Sequence, residues 1–430
     1  MVGAGSSGIT AIKALAERDI PFDCYERGDR VGGNWVFANS NGWSSAYASL
    51  CINTSRERME YRDFPMPRSY PDYPHHTQIA AYFDAYVDHF GLRDRITFAT
   101  TVERARRDPR GGWRVTLDDG RTRDYDVLVV ANGHHWDPRW PEPAIPGTGD
   151  FAGEVIHAHD YRDRDQLEGR DVVVLGMGNS AVDIAVEASE CARSTTLAAR
   201  RGAHVLPRYL FGRPSDQVGA TLNLPVPVRR QVFAALYRVA VGRPEDLGLP
   251  RPQHNILSAH PTMSSELPKR VADGRIAVKP GITRLDGDRV AFADGSAVRA
   301  DLVVFATGYR ITFPFLDTDL VAAPGNRIGL FHRVFDPRYD DIAFVGLLQP
   351  LGAVMPLAEA QSRWIADWLV GRYALPSRRR MAAWIAQDRQ RMARRYVASP
   401  RHTIQVDFDD YLAALTRERQ AGEHRALVGV

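Results

Sequence analysis

The chain has 430 residues, of which 44% are apolar and 25% charged, and its formal net charge is +3. The length allows two or three domains of ordinary globular composition. The small net charge does not favour nucleic acid or a membrane as partner, and no apolar run reaches the roughly 18 residues of a membrane span. The three cysteines form no CxxC pair, which argues against a disulfide framework or a redox dithiol. We therefore expect a reduced, cytoplasmic enzyme.

A glycine-rich loop stands at the start of the chain. The run Gly3-Ala4-Gly5-Ser6-Ser7-Gly8 fits GxGxxG, a turn that brings backbone N–H groups against a pyrophosphate at a helix N-terminus. Apolar residues from Ile9 onward repeat with helical spacing, which predicts a helix packed on a sheet. Only two residues precede the loop, where a buried strand is expected, so we expect the natural chain to start upstream.

A short alternating strand over residues 22–26 follows this helix. It ends at Glu26, 23 residues after Gly3. A carboxylate at about this spacing can accept hydrogen bonds from a ribose 2′-hydroxyl and would repel a 2′-phosphate. FAD and NAD have that free hydroxyl and NADP does not, so the first loop predicts FAD or NAD.

A second glycine-rich loop, Gly176-Met177-Gly178-Asn179-Ser180-Ala181, follows the continuous apolar run 171–175, which is typical of a buried parallel strand. The next predicted strand, 195–199, ends in Arg200-Arg201. A guanidinium fork suits a 2′-phosphate, so this loop predicts NADPH. Two loops in one chain predict two dinucleotides, and the natural pair is a flavin and the nicotinamide that reduces it.

The chain repeats its plan beyond these loops. Residues 126–133 and 301–308 have similar sequences, and each follows a hairpin with an Asp-Gly turn. We predict an α/β fold with two Rossmann-like dinucleotide-binding domains, the NADPH domain inserted into the FAD domain. The FAD domain comprises residues 1–150 and 301–430, and the NADPH domain residues 151–300. Within the NADPH domain, a helical and irregular insertion at about 204–270 is expected to cover the cofactor cleft.

A further motif carries a family resemblance. The run 151–161, FAGEVIHAHDY, fits FxGxxxHxxxY and resembles the fingerprint of the flavin-containing monooxygenases. These enzymes are class B flavoprotein monooxygenases, and the resemblance implies the soluble bacterial type. A form ending in tryptophan marks the related Baeyer–Villiger enzymes. Three more segments are similar to the family and occur in its order: Gly32-Gly33-Asn34-Trp35, Asn53-Thr54-Ser55 and Ala306-Thr307-Gly308-Tyr309.

The resemblance implies an enzyme that binds FAD and NADPH, forms a flavin C4a-hydroperoxide with O2 and oxygenates a soft nitrogen or sulfur nucleophile. The chemistry belongs to the cofactor, so His157 is expected to be structural or cofactor-orienting. The family has an asparagine at the position of Asn53, beside the flavin and the nicotinamide amide, which makes Asn53 the candidate catalytic residue. No metal is expected. The candidate cofactor-binding residues are Gly3, Gly5, Ser6, Ser7, Gly8, Glu26, Arg27, Gly33, Asn34, Trp35, Asn53, Thr54, Gly176, Gly178, Asn179, Ser180, Ala181, Arg200 and Arg201.

Other functions stay open at this point. Tyr161 in place of tryptophan disfavours a Baeyer–Villiger enzyme, and residues 203–208 resemble a segment of indole-pyruvate monooxygenases. From a different class, the chain could be a non-catalytic redox sensor that binds FAD. The expected partners are a small-molecule substrate and O2, without nucleic acid or membrane, and the sequence leaves open whether the chain forms a homodimer.

Overall fold

The computed structural model describes residues 1–220 and 226–429. The chain forms two compact units whose limits, near residues 137 and 309, differ from the boundaries predicted at about 150 and 300. The units consist of the following segments: Met1–Ser44, Arg56–Asp137 and Arg310–Val430 in the first, and Ser45–Ser55 and Pro138–Tyr309 in the second.

The α-helices of the described residues range from four to 21 residues in length. In chain order they are α1 (Ser6–Ala16), α2 (Arg56–Met59), α3 (His76–His89), α4 (Asn179–Cys191), α5 (Ser215–Ala220), α6 (Val226–Val241), α7 (Leu267–Ala272), α8 (Met355–Leu369), α9 (Arg378–Arg395) and α10 (Phe408–Val428). Of the helices that the structure describes, none is both long and apolar enough to span a lipid bilayer.

The strands are short, and most have two to five residues. Up to residue 175 they are β1 (Cys24–Tyr25), β2 (Ile96–Thr97), β3 (Val102–Arg107), β4 (Trp113–Leu117), β5 (Thr122–Tyr125), β6 (Leu128–Val130), β7 (Asp137–Pro138), β8 (Glu154–His157) and β9 (Asp171–Leu175). Beyond it they are β10 (Ser194–Ala198), β11 (Val205–Leu206), β12 (Tyr209–Leu210), β13 (Arg213–Pro214), β14 (Thr262–Met263), β15 (Ala277–Lys279), β16 (Ile282–Asp286), β17 (Arg289–Phe292), β18 (Ala297–Arg299), β19 (Leu302–Phe305), β20 (Tyr309–Arg310), β21 (Ile342–Phe344), β22 (Gln349–Leu351) and β23 (Gln405–Asp407).

The second unit contains a five-stranded parallel sheet in the order β15-β10-β9-β19-β8. The apolar run predicted at 171–175 is β9, and α4 joins it to β10. Val173 and Val303, on adjacent strands, are almost completely buried. Such continuous burial is the reason why these strands read as unbroken apolar runs in the sequence.

The first unit repeats this order with fewer paired residues. Parallel pairs join β1 to β2 and β6 to β21, and Val2 bridges both Tyr25 of β1 and Val130 of β6. Val2 therefore takes the place that β9 has in the second unit, and α1 takes the place of α4. In each unit an antiparallel three-stranded sheet, β3-β4-β5 or β16-β17-β18, precedes the returning strand β6 or β19. The predicted repeat and its closing hairpins are confirmed.

The stretch predicted as an insertion forms short strands and helices in the described part of residues 204–270; residues 221–225 lie outside the described residues. A small apolar cluster holds it together, and Leu206, Phe233 and Met263 are among its buried members. The helical piece expected near 229–241 is α6. Phe211, between β12 and β13, is 63% exposed.

Candidate active site and cofactor-binding loops

The first glycine loop is too crowded for side chains at two of its positions. A Cβ on Gly3, whose φ is +96°, would lie 2.6 Å from the carbonyl oxygen of Ala131. A Cβ on Gly8 would lie 2.1 Å from the carbonyl oxygen of Gly3. Glycine is therefore required at both positions, because Gly3 lies against Ala131, directly after β6, and the start of α1 lies against the carbonyl of Gly3.

The loop contacts the family-like segment Gly32-Gly33-Asn34-Trp35. The Gly32 N–H donates to the carbonyl of Ala4 at 3.1 Å, and a Cβ on Gly33 would lie 3.2 Å from the Cα of Gly5. Gly5 holds the N-cap position of α1, and glycine offers no side chain to bond the first-turn N–H groups. A narrow backbone cradle at a helix start suits a pyrophosphate, so the residues fit the FAD that the sequence implies.

Glu26, at the end of β1, is only 6% exposed and accepts two backbone hydrogen bonds. Its Oε2 accepts from the N–H of Ala4 at 2.7 Å, and its Oε1 accepts from the N–H of Gly28 at 2.7 Å. The carboxylate thus ties the glycine loop to the turn after β1. A carboxylate oxygen has further lone pairs, so these bonds leave it able to accept from a ribose hydroxyl.

Arg27, the next candidate cofactor-binding residue, lies against aromatic rings. The guanidinium carbon of Arg27 lies 3.4 Å from the ring centroid of Trp43, and Trp43 lies 4.2 Å from Trp136 between centroids. Burial lowers the pKa of Arg27. Asn34 accepts a hydrogen bond from Ser44 through its backbone carbonyl at 2.9 Å. Trp35 is only partly buried, so its indole is not a core residue.

The two serines of the first loop serve the helix that follows. Thr10 donates through its hydroxyl to the carbonyl of Ser7 at 2.8 Å, and Tyr61 donates to the carbonyl of Ser6 at 2.6 Å. A Cβ on Gly346 would lie 2.1 Å from Ser7 Oγ. These contacts keep the first turn of α1 in position and leave its N–H groups to a ligand.

The second glycine loop has the same crowding at its first glycine. Gly176 has a φ of +143°, and a Cβ there would lie 2.7 Å from the carbonyl oxygen of Ala306. Gly178 holds the N-cap position of α4. Ala181, at the third position of the motif, is fully buried, so this loop has room for a methyl group where the first loop has none.

Strand β14 forms two hydrogen bonds with the second loop. Asn179 Oδ1 accepts from the N–H of Met263 at 2.8 Å, and the Thr262 hydroxyl donates to the carbonyl of Met177 at 2.6 Å. The Asn179 carbonyl group is thus committed to β14. Ser180 is partly buried at the start of α4.

Arg200 and Arg201 follow β10, and both are exposed. Within residues 1–220 and 226–429, neither has an ion-pair partner. The stem of Arg200 lies on Gly281, where a Cβ would come within 2.5 Å of its Cγ. Two unpaired guanidinium groups at this strand end fit a 2′-phosphate, as predicted for NADPH.

Asn53 belongs to the second unit. Its Oδ1 is inaccessible to water and has no hydrogen-bond partner within the part of the chain that the structure describes. Thr54, next to it, is buried. Buried side-chain oxygens are normally hydrogen-bonded, so a bound group that donates a hydrogen bond to this oxygen would satisfy it.

His157 of the fingerprint lies at the end of β8 and is fully buried. Its Nδ1 accepts from the N–H of His159 at 3.0 Å, and its ring is 5.5 Å from that of Tyr309. Burial lowers the pKa of His157 to about 4, so the imidazole is neutral at physiological pH. Tyr161, the last residue of the fingerprint, is buried and donates to Glu187 at 2.7 Å.

Three residues that hold the segment carrying Asn53 were not expected from the sequence: Tyr47, Asp183 and Asp216. Tyr47 donates to Asp183 on α4 at 2.5 Å, and Asp216 accepts from Ser55. Acids on a helix usually belong to its solvated face, so the sequence offered no signal that these two carboxylates receive hydrogen bonds from a distant segment.

Comparisons with known proteins agree with this architecture. The model of the flavin-binding monooxygenase-like family matches residues 1–423. Flavin-containing monooxygenase 5 of Rattus norvegicus is 37% identical over 431 residues, covering 95% of this chain and 80% of its own length. Dimethylaniline monooxygenase [N-oxide-forming] 2 of Pan troglodytes is 33% identical over 442 residues, covering 97% and 82%.

Solved structures share the whole fold. The S-allyl-L-cysteine S-oxygenase of Allium sativum aligns with a TM-score of 0.72 and 25% identity, covering 97% of this chain and 87% of its own. A steroid monooxygenase bound to NADP aligns with a TM-score of 0.73 and 18% identity, covering 98% of this chain and 97% of its own. At this identity the likeness supports the fold only.

Two dinucleotide-binding units in one chain define the class of flavoproteins that are reduced by a nicotinamide cofactor. The chain belongs to the flavin-binding monooxygenase-like family. It is an NADPH-dependent flavin-containing monooxygenase with FAD and NADPH as cofactors and O2 as co-substrate.

Proposed function

We propose that the first unit binds FAD, that the second binds NADPH, and that the enzyme oxygenates a nitrogen or sulfur atom of a small molecule. When bound, FAD reduced by NADPH activates O2 and supplies one oxygen atom to the substrate. The relatives named as N-oxide-forming and as an S-oxygenase support these two atom types. The opposite charges of Glu26 and Arg200-Arg201 at equivalent strand ends support the assignment of the cofactors.

The observation that carries the proposal is the buried, unpaired Oδ1 of Asn53 within the described residues. Leaving a buried acceptor unpaired costs about 1–3 kcal/mol, which a bound group that donates a hydrogen bond to it would recover. The amide also offers two N–H donors without an acidic proton. Asn53 is therefore assigned the catalytic role: it binds the reacting cofactors by hydrogen bonds and helps to keep water away from them.

The low pKa of the fingerprint histidine argues against proton transfer by His157, either as an acid or as a base. His157 is neutral because burial lowers its pKa to about 4, so it cannot donate a proton as imidazolium near pH 7. A soft nucleophile attacks an activated oxygen without losing a proton to the protein first. His157 accordingly keeps a structural role, with Nδ1 as acceptor for the His159 N–H.

Substitution of Asn53 tests this role. Asn53→Ala and Asn53→Asp should keep FAD, because the glycine loop and Glu26 lie elsewhere in the chain. Loss of the amide hydrogen bonds should lower the yield of product per NADPH oxidised roughly tenfold, with a matching gain in hydrogen peroxide. Product, NADPH and peroxide are measured in one reaction.

Ser49→Ala is the matched control, since Ser49 lies on the same segment with an exposed side chain. It should retain the yield of the parent enzyme. If both Asn53 variants retain the parent yield, Asn53 is a turn residue and the proposed role is wrong.

The substrate class is tested with a panel of sulfides, amines and ketones. NADPH-dependent product formation is expected from sulfides or amines. Efficient conversion of ketones to esters would instead favour the Baeyer–Villiger alternative. Efficient conversion of indole-pyruvate would favour an indole-pyruvate monooxygenase. A purified protein that binds FAD but oxygenates no compound would favour a redox sensor.

Two further proposals concern the whole protein. We propose that it lies in the cytoplasm, on the basis of the modest net charge and the cysteine usage. A homodimer is the oligomeric state to test. Cell fractionation tests the location. Light scattering on the purified flavoprotein tests the oligomeric state, and a monomer mass would overturn the dimer.

A further inference from the structure

The segment Ser45–Ser55 carries Asn53 and belongs to the second unit, whereas the residues on both sides of it belong to the first. A segment of this kind depends on specific contacts within its unit for its position. Hydrogen bonds from its side chains supply them on both sides of Asn53.

The first anchor precedes Asn53 and lies on α4. Tyr47 donates through its hydroxyl to Asp183 Oδ2 at 2.5 Å. The exposed hydroxyl of Ser49 also donates to α4, to Glu187 Oε2 at 2.8 Å, but this solvent-exposed bond is not part of the anchor. The N–H of Ala48 donates to the carbonyl of Arg162 at 2.7 Å. The Tyr47 side chain is buried and that of Ser49 is exposed, so the bond from Tyr47 is the one shielded from competing water.

The second anchor follows Asn53 and lies on α5. Asp216 Oδ2 accepts from the N–H of Ser55 at 2.9 Å and from its hydroxyl at 2.8 Å. The Gln217 amide also donates to the Ser55 hydroxyl, at 3.2 Å. Asn53 is two residues from Ser55, so a shift of this anchor moves the Asn53 backbone directly.

The first anchor contains a group that titrates. Burial raises the pKa of Asp183 to about 6, while the Tyr47 hydroxyl and the charge of Arg208 act in the opposite direction and Glu187 adds to the rise. The pKa of Tyr47 lies well above its ordinary value, so its hydroxyl remains a neutral donor. Below about pH 6 the carboxylate becomes a neutral acid, which is a weaker acceptor for the tyrosine hydroxyl.

We propose that Asp183 and Asp216 are positioning residues for the oxygenation: acting through Tyr47 and Ser55, they hold the Ser45–Ser55 segment so that the Asn53 amide stays in its working position. The inference rests on the role proposed for Asn53. Its consequence is that the yield of product per NADPH decreases as Asp183 loses its charge.

The yield is measured from pH 5 to pH 8 in the flavinated enzyme. The parent enzyme should show a step near pH 6, with the higher yield above it. Tyr47→Phe removes only the hydroxyl and should lower the yield about fivefold at pH 7.5, the factor expected for one lost hydrogen bond, and abolish the step. Asp183→Asn should also lack the step.

The second anchor is tested with two substitutions of one residue. Asp216→Ala should lower the yield, and Asp216→Asn should restore most of it, because the amide oxygen can still accept both bonds from Ser55. Ser49→Ala, which removes an exposed hydrogen bond from the same segment, should keep both the yield and the step. FAD content and circular dichroism establish that each variant is folded.

The outcomes separate this inference from the proposed function. If Asn53→Ala loses coupling while Tyr47→Phe and Asp216→Ala keep the parent yield and its pH step, the anchors have no positioning role and the inference is wrong. If Asn53→Ala keeps the parent yield, the proposed role of Asn53 fails first. Loss of yield in Asp216→Asn equal to that in Asp216→Ala would contradict positioning by hydrogen-bond acceptance.

Discussion

The two glycine loops share their strand order but differ at the end of the next strand. In the first unit, Glu26 is buried and bonded to the N–H groups of Ala4 and Gly28. In the second, Arg200 and Arg201 are exposed, and neither is paired within the described residues. The acid is part of its loop, whereas the arginines are available to a ligand. One backbone plan thus occurs twice with opposite charges at the end of the second strand, and we propose that these charges distinguish the two dinucleotides.

The loops also differ in how much room they leave at the third position of the motif. A methyl group is accommodated at Ala181 in the second loop, whereas a Cβ on Gly8 would lie 2.1 Å from a carbonyl oxygen of the first. The first helix therefore approaches its loop more closely. The two units should therefore respond differently to equivalent substitutions.

The largest effect is expected from exchanging the third residues. Gly8→Ala should give protein with little FAD, because overpacking costs about 1–3 kcal/mol or more and outweighs the roughly 1 kcal/mol by which alanine favours a helix. Ala181→Gly should keep NADPH binding and cost only about 1 kcal/mol in stability. Flavin absorbance and thermal unfolding measure both. Equal tolerance of both changes would remove the difference between the loops.

A second large effect is expected at Glu26. Glu26→Ala leaves the N–H groups of Ala4 and Gly28 unpaired, at about 1–3 kcal/mol each, and removes the proposed ribose acceptor. The purified variant should be depleted of FAD, with NADPH affinity close to that of the parent once FAD is restored. Glu26→Gln keeps one carbonyl oxygen, so its FAD content should lie between those of the parent and of Glu26→Ala. A fully flavinated Glu26→Ala variant with weakened NADPH binding would reverse the order of the two sites.

The matching change in the second unit is Arg200→Ala. Loss of a charge-assisted contact to the 2′-phosphate should weaken NADPH by about 1.5–3 kcal/mol, tenfold or more, and leave NADH almost unchanged. Arg201→Ala shows which arginine contributes more. KM values for the two nucleotides measure the effect, and equal losses for both would contradict a phosphate contact.

The smallest effect concerns acid stability and the buried histidine of the second unit. The folded pKa of His157, about 4, lies below its ordinary value, so its contribution to stability is complete above pH 6.5 and is lost as pH falls towards 4. At pH 5.5 the unfolded chain binds the proton first, which should cost on the order of 1 kcal/mol. His157→Asn keeps an acceptor for the His159 N–H and should flatten this part of the profile. Urea unfolding at pH 7.5 and 5.5 measures it, and an unchanged pH dependence would show that His157 does not contribute.

Much of the fold follows from local patterns in the sequence. The apolar run at 171–175 is β9, the strand predicted at 195–199 is β10 within one residue at each end, and the hairpins with Asp-Gly turns precede the returning strands. These features depend on side chains within a few residues of one another. The spacing from each glycine loop to Glu26 or Arg200 is likewise a local property of one strand–helix–strand unit.

That the segment Ser45–Ser55 belongs to the second unit could not be predicted in the same way. Tyr47 and Asp183 are 136 residues apart, and Ser55 and Asp216 are 161 apart. A tyrosine, two serines and two helical acids have no periodic signal that links them. For the same reason, the hydrogen bond between Asn179 and Met263 of β14, which are 84 residues apart, could not be predicted.

The sequence by itself determined the two glycine loops, the repeated sheet and the opposite charges at the two strand ends, because periodicity, glycine spacing and strand-end residues act over short distances. Only the tertiary structure decided that Asn53 lies in the second unit with an unpaired buried oxygen, and that two carboxylates hold its segment. The physical reason is that burial and hydrogen bonding between distant residues exist only after the chain has folded.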